Sequence, residues 1–187
     1  MPETLRQLHE EHRNIVRLLG ALERQLAIFD RAERPDYDIL RSIAEYFTGF
    51  PDRYHHPKED LVLAKLRERD PDAARPLERL LEEHQRIGEL AQHFREAIDN
   101  VLQEAEVPRA NIDAVIRHFI EDQRRHLQVE EQHFFPLAEK ILTAEDWAAI
   151  DAEAGRPEDP LFGEHCASEF SELREDILRW ERENQTP

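Results

Sequence analysis

Apolar residues recur along this chain at alternating steps of three and four, the spacing of an α-helix that buries one face. One such series is Leu5, Leu8, His12, Ile15, Leu19, Leu22, Leu26 and Phe29. A second is Leu77, Leu80, His84, Ile87, Ala91, Phe94, Ile98 and Val101. In each series, one histidine replaces an apolar residue near the start. The pattern predicts two long helices, each of which points a histidine into the core.

Two further helices are predicted, at about 37–69 and about 111–140. Pro51 and Pro57 lie inside the first of them. Each proline removes an amide donor and crowds the carbonyl four residues earlier, so we expect a kinked helix there.

Shorter helices are predicted in the tail. Thr143 is a suitable N-cap for one that ends at Gly155, and a last helix is expected at about 166–182. We expect two units, a four-helix bundle at residues 1–142 and a helical extension at residues 143–187 that packs on the bundle. The extension shows no candidate chemistry.

The two halves of the chain repeat one arrangement of histidines and acids. Residues 8–15 and 80–87 both read Leu-x-Glu-Glu-His-x-x-Ile. One predicted helix later, each half has His-x-x-x-Glu followed by a second acid: His55, Glu59 and Asp60 in the first half, and His126, Glu130 and Glu131 in the second. Two helix pairs of one design predict an all-α, up-down-up-down four-helix bundle.

The repeated spacing suits a metal site. Residues i and i+4 share one helix face, so the histidine and glutamate of each His-x-x-x-Glu can reach the same ion. A buried ionised glutamate costs several kcal/mol unless it is paired or bound to metal. The candidate ligands are His12, His55, Glu59, His84, His126 and Glu130.

The donor types narrow the choice of metal. Imidazole and carboxylate without thiolate suit iron, manganese or zinc, and two bridging carboxylates favour a dinuclear iron site. Two six-coordinate irons offer about twelve positions, of which these side chains and one bridging oxygen fill about ten. We therefore expect two non-haem irons with an oxo or hydroxo bridge and about two positions open to a small ligand.

These six residues, in the order H…HxxxE…H…HxxxE, resemble those of the hemerythrin-like, or HHE cation-binding, family over about residues 5 to 140. The resemblance implies a di-iron centre bridged by the two acidic residues. Oxygen-carrying members have a further histidine four residues after the one that matches His84, where this chain has Gly88. That difference argues against reversible oxygen carriage and favours sensing, peroxide chemistry or iron handling.

Other residues near the motifs have weaker claims. His56 is a candidate neighbour of the ligands or alternate ligand, and His133 is a candidate neighbour or access-channel residue. Tyr54 is expected to serve packing or to donate a hydrogen bond to bound oxygen. Asp60 and Glu131 are expected to be solvated or to hydrogen-bond ligand histidines. The remaining histidines, expected at the surface or rim, are His9, His93, His118 and His165.

Composition excludes several classes of function. The formal net charge is −17 at pH 7, so no excess of basic residues is available for nucleic acid or an anionic membrane. Cys166, expected to be buried and inert, is the single cysteine, which excludes an internal disulfide and a cysteine-rich zinc site. The sequence shows neither a signal peptide nor an apolar run of the ~20 residues that span a bilayer, so a cytoplasmic location is predicted.

The first hypothesis is a protein that binds or senses O2, another diatomic ligand such as NO, or the iron or redox state. The alternative is a di-iron enzyme acting on peroxide, nitric oxide or O2. Iron–sulfur repair ranks lower, because relatives with that role carry an additional cysteine-containing domain, and a metal-free interaction bundle ranks lowest. The sequence indicates neither the oligomeric state nor the redox partner.

Overall fold

The computed structural model describes residues 1–103 and 108–185, and this part of the chain contains helices and no strand. The α-helices are α1 (Glu3–Asp30), α2 (Tyr37–Phe47), α3 (His56–Arg69), α4 (Pro71–Ala74), α5 (Arg79–Leu102), α6 (Arg109–Val129), α7 (Phe135–Ile141), α8 (Ala144–Ala154) and α9 (Ser171–Gln185). Two π-helical turns, Pro51–His55 and Glu130–Phe134, lead into α3 and α7. Short 3-10 turns cover Arg75–Leu77 and Ser168–Phe170.

The long helices form a bundle. Helix α1 packs on α2 and α6, and α5 packs on the same two helices. Helix α8 contacts α1 and α3, and α9 contacts α1 and α2. The division into units at residues 1–142 and 143–187 stays a prediction, and residues 186 and 187 lie outside the described residues.

The irregularity expected at Pro51 and Pro57 is present, because α2 ends at Phe47 and the π-helical turn Pro51–His55 precedes α3. A second π-helical turn, Glu130–Phe134, interrupts the helix expected at 111–140, where no break was predicted. Pro57 and Pro136 stand at the second position of the helix that follows each turn. Each proline lacks an amide hydrogen, and its ring would collide with the carbonyl four residues earlier, which lies inside the turn. The wider turn relieves that collision and leads directly into the following α-helix.

The apolar core has two clusters with a polar layer between them. On α1, Leu5 and Leu8 belong to one cluster, whereas Ile15 and the residues beyond it belong to the other. On α6 and the turn after it, Leu127 and Phe134 are divided in the same way. The candidate ligands therefore lie across the bundle between two packed apolar layers, which exclude bulk water from them.

Local signals for the ends of α8 are confirmed. The Thr143 hydroxyl accepts a hydrogen bond from the amide of Asp146, whose carboxylate accepts one from the amide of Thr143. Gly155 ends the helix at φ 67°, a backbone conformation that L-residues rarely adopt. Within the described residues, no helix is both long and apolar enough to cross a bilayer.

Candidate metal centre

The six predicted ligands come together in the polar layer of the bundle. They are His12 on α1, His55 at the end of the first π-helical turn, Glu59 on α3, His84 on α5, His126 on α6 and Glu130 at the start of the second turn. All six are buried, and the two glutamates are 0 % exposed. Charged side chains are rarely buried to this degree without a compensating partner.

Each glutamate faces histidines of both halves of the chain. Oε1 of Glu59 lies 3.3 Å from Nε2 of His12 and 3.4 Å from Nε2 of His55. Oε2 of the same carboxylate lies 3.4 Å from Nε2 of His84.

The second glutamate repeats this arrangement with the halves exchanged. Oε1 of Glu130 lies 3.2 Å from Nε2 of His84 and 3.0 Å from Nε2 of His126, while Oε2 lies 3.5 Å from Nε2 of His12. Both carboxylates therefore span the gap between a histidine pair of the first half, His12 and His55, and a pair of the second half.

The other ring nitrogen of each histidine is held by an acid. Nδ1 of His12 lies 2.7 Å from Glu131, and Nδ1 of His84 lies 2.9 Å from Asp60. These two contacts confirm the hydrogen-bonding role expected for Asp60 and Glu131. Because each acid comes from the opposite half, they tie the two hairpins together and leave both Nε2 atoms directed at the glutamates.

The remaining two histidines are held by acids of their own half. Nδ1 of His55 lies 2.8 Å from Glu11, and Nδ1 of His126 lies 3.3 Å from Glu83. Sequence reasoning missed both roles. A signal was available, since Glu11 and Glu83 directly precede the lone histidine of each repeat.

The carboxylates change the proton affinities of three of the histidines. Burial alone would lower the pKa of His12, but hydrogen bonds to Glu131 and Glu59 raise it to about 10. The same balance of burial against neighbouring carboxylates raises the pKa of His84 to about 10 and that of His126 to about 9. Protons on these rings compensate the carboxylate charge when no cation does so.

Two groups of the centre have lowered pKa values. Burial and the nearby His12 and His56 rings hold the pKa of His55 well below its usual value. Burial would raise the pKa of Glu130, but His126, His84 and His12 outweigh it and hold that pKa well below the usual range. Glu130 is therefore ionised at neutral pH.

Buried side-chain atoms without hydrogen-bond partners indicate that this group of histidines and glutamates fits a metal ion. Among the described residues, Oε2 of Glu59, Oε2 of Glu130 and Nε2 of His126 are buried without a hydrogen-bond partner. Buried polar atoms of this kind are normally satisfied. One donor atom from each of His12, His55 and Glu59 can be chosen within 4.8 Å of one another, as is also true of a second group, His56, Glu59, His84 and His126. Imidazole and carboxylate donors at these spacings suit a transition metal.

His56 lies closer to the centre than its sequence position suggested. The residue is 6 % exposed, and its ring stacks on that of His84 with centroids 4.5 Å apart. Asp52 lies 3.4 Å from its Nδ1.

His133 does not belong to the centre. Its side chain is exposed and lines a surface groove with Leu77 and Leu137. On an uninterrupted α-helix, His133 would share a face with His126, but it lies inside the π-helical turn Glu130–Phe134, which rotates it away from that face.

The other expectations concern packing and the surface. Tyr54 is 40 % exposed and its ring packs on Phe50 at 5.7 Å. Cys166 is half-buried rather than buried, and its Sγ contacts the carbonyl of Ala167. Of the histidines expected at the surface or rim, His9 is half-buried beside Glu131, and the exposed ones are His93, His118 and His165.

A surface cavity of about 340 Å³ reaches the first histidine of the centre. Its lining includes His12, Val16, Leu127 and Glu131. The cavity therefore lies on the His12 side of the polar layer.

A search of the curated proteins and a search of the solved structures found no match. The model of the family described as "Hemerythrin HHE cation binding domain" matches residues 3–138. That span contains all six predicted ligands. The chain therefore belongs to the hemerythrin HHE cation-binding family.

Proposed function

We propose that the protein holds two non-haem irons in an up-down-up-down four-helix bundle and binds or senses O2 or another small diatomic ligand. The proposed ligands are His12, His55, Glu59, His84, His126 and Glu130, with the two glutamates as bridges. A cytoplasmic location stays a prediction from the sequence.

One observation carries the proposal of a metal pair. Each of the two buried carboxylates directs one oxygen at the histidines of one half and its other oxygen at a histidine of the other half. A single ion would need only one oxygen of each carboxylate. Two ions, one beside each histidine pair, would engage both oxygens and neutralise the buried negative charge.

The side chains around the centre orient and shield the ligands. The acids on Nδ1 fix each ring so that Nε2 faces the centre, which also raises the basicity of the imidazole. Phe135 packs on the ring of His12 with centroids 5.0 Å apart. An iron pair supplies redox-active centres at which O2, NO or peroxide can bind.

The experiment that tests the ligand assignment is metal analysis of matched variants. Glu59→Gln and Glu130→Gln each keep the shape of the side chain but remove its charge. We expect wild-type protein to hold two irons per chain and each variant to hold clearly fewer. Glu139→Gln is the control, because Glu139 is exposed on α7. Full iron occupancy in both charge-removing variants would refute the proposed bridges.

A buried ion pair favours a second candidate, an enzyme acting on peroxide, nitric oxide or O2. Lys58 is 2 % exposed and pairs with Glu11, which contacts His55. Its ammonium places a proton donor next to a proposed ligand. A visible spectrum that changes with O2 and reverts under vacuum would support binding, whereas catalytic consumption of peroxide would support the enzyme.

A further inference from the structure

His56 shares the features that mark the other histidines of the centre. It is buried, with its ring 4.5 Å from that of His84 and 6.0 Å from that of His126, between centroids. Asp52 lies 3.4 Å from its Nδ1, the same ring nitrogen that an acid hydrogen-bonds in each of the four proposed histidine ligands. Nε2 is therefore the ring nitrogen of His56 that can face a metal in the centre.

The π-helical turn explains how two successive histidines both face inward. On a regular α-helix, His55 and His56 would point about 100° apart. Here the wide turn Pro51–His55 ends between them, and they are only 1 % and 6 % exposed. Such turns frequently occur at functional sites, where they redirect side chains.

A glycine on the neighbouring helix makes room for the acid that holds His56. A Cβ atom at Gly88 would lie 3.1 Å and 3.2 Å from the carboxylate oxygens of Asp52. Such contacts are tighter than ordinary van der Waals distances, so a larger residue would displace Asp52. Gly88 and Asp52 thus form a support for the ring of His56.

The second half of the chain lacks this support. Aligning the two His-x-x-x-Glu motifs places Leu127 opposite His56 and Gln123 opposite Asp52. Leu127 is buried and apolar and offers no donor atom. An otherwise symmetric centre therefore has one additional imidazole, on the side of His84 and His126.

We propose that His56 is a fifth histidine ligand, which binds the iron held beside His84 and His126. This inference rests on the proposed function. It makes the two irons unequal, with three imidazoles on one and two on the other. The iron with fewer imidazoles would lie on the side of His12, whose ring lines the surface cavity.

The test compares His56→Ala with Leu127→Ala, a truncation at the equivalent position of the other half. Each protein is loaded with 57Fe(II) without oxygen, and iron content, iron affinity and the Mössbauer spectrum are measured. We expect two distinct iron environments in the wild type. His56→Ala should bind one of the two irons at least ~10-fold more weakly, and added imidazole should restore it. Leu127→Ala should keep both irons bound as tightly as the wild type does without added imidazole.

Several outcomes would overturn the role of His56. Unchanged iron affinity and an unchanged Mössbauer spectrum in His56→Ala would overturn it. A loss of iron that imidazole does not reverse would also overturn it, because that loss would show that His56 only packs against the centre. If His56→Ala does not fold, Asp52→Asn decides: it should weaken one iron ~10-fold, and unchanged affinity for both would refute the assignment. Wild-type protein that takes up no iron would instead refute the proposed function itself.

Discussion

Metal uptake by this protein should release protons, because three of the proposed ligands hold protons that a metal must displace. The pKa values of His12 and His84 are raised to about 10, and that of His126 to about 9. At pH 7 these three rings are almost fully protonated, whereas His55, with its lowered pKa, is neutral. Loading the centre at pH 7 should therefore release about three protons per chain from the imidazoles.

The direction of the pH dependence follows from the same values. A protonated imidazole cannot bind metal, so apparent affinity should rise with pH from 7 and level off above about 10. The stability of the metal-free protein changes the other way. Histidines with a pKa above the unfolded value of about 6.5 add stability that is complete below pH 6.5 and is lost as pH rises through about 9 to 10.

The assay is calorimetric titration of chelator-treated protein with zinc, which has no redox chemistry to add or consume protons. Repeating it in two buffers of different ionisation enthalpy gives the number of protons released. The control is His165→Ala, because that side chain is 84 % exposed and distant from the centre, and it should leave the number unchanged. Release of fewer than one proton per chain would show that the rings are neutral and would refute the electrostatic reasoning.

Three further predictions concern the bundle and its C-terminal helices. Thr143→Ala should cost about 1 kcal/mol of stability through the lost cap, which would lower Tm by ~2–4 °C in a thermal melt. Phe94→Ala removes a fully buried ring and should cost ~3–5 kcal/mol in urea unfolding, whereas His93→Ala next to it should change little. Tyr46→Phe removes a 2.9 Å hydrogen bond to Asp159 and should lower the free energy of unfolding by about 1 kcal/mol. It should also speed proteolysis of the C-terminal segment, and equal cleavage rates in variant and wild type would contradict this.

Helical periodicity and the internal repeat predicted the helices and the ligand set. The lone histidines His12 and His84 stood out because each replaced an apolar residue in a regular series. The i, i+4 spacing then paired each His-x-x-x-Glu on one face. These inferences depend on local geometry, which sequence spacing encodes directly.

The breaks in the helices were harder to predict. Pro57 indicated a kink, but nothing local showed that the chain would widen into a π-helical turn rather than bend. Whether a proline ends, bends or widens a helix depends on what packs against it. The second π-helical turn likewise carries His133 to the surface, whereas an uninterrupted α-helix would have kept it on the face of His126.

Sequence alone determined the all-helical class, the order of the candidate ligands and their division between two similar halves of the chain, since these follow from spacing along the chain. Tertiary structure alone decided which acid holds which histidine, as with Glu131 on His12 and Asp60 on His84 from the opposite halves. It also brought His56 into the centre through Asp52 and the space left by Gly88. Such contacts join residues on different helices, so they depend on how the helices rotate and pack rather than on any local pattern.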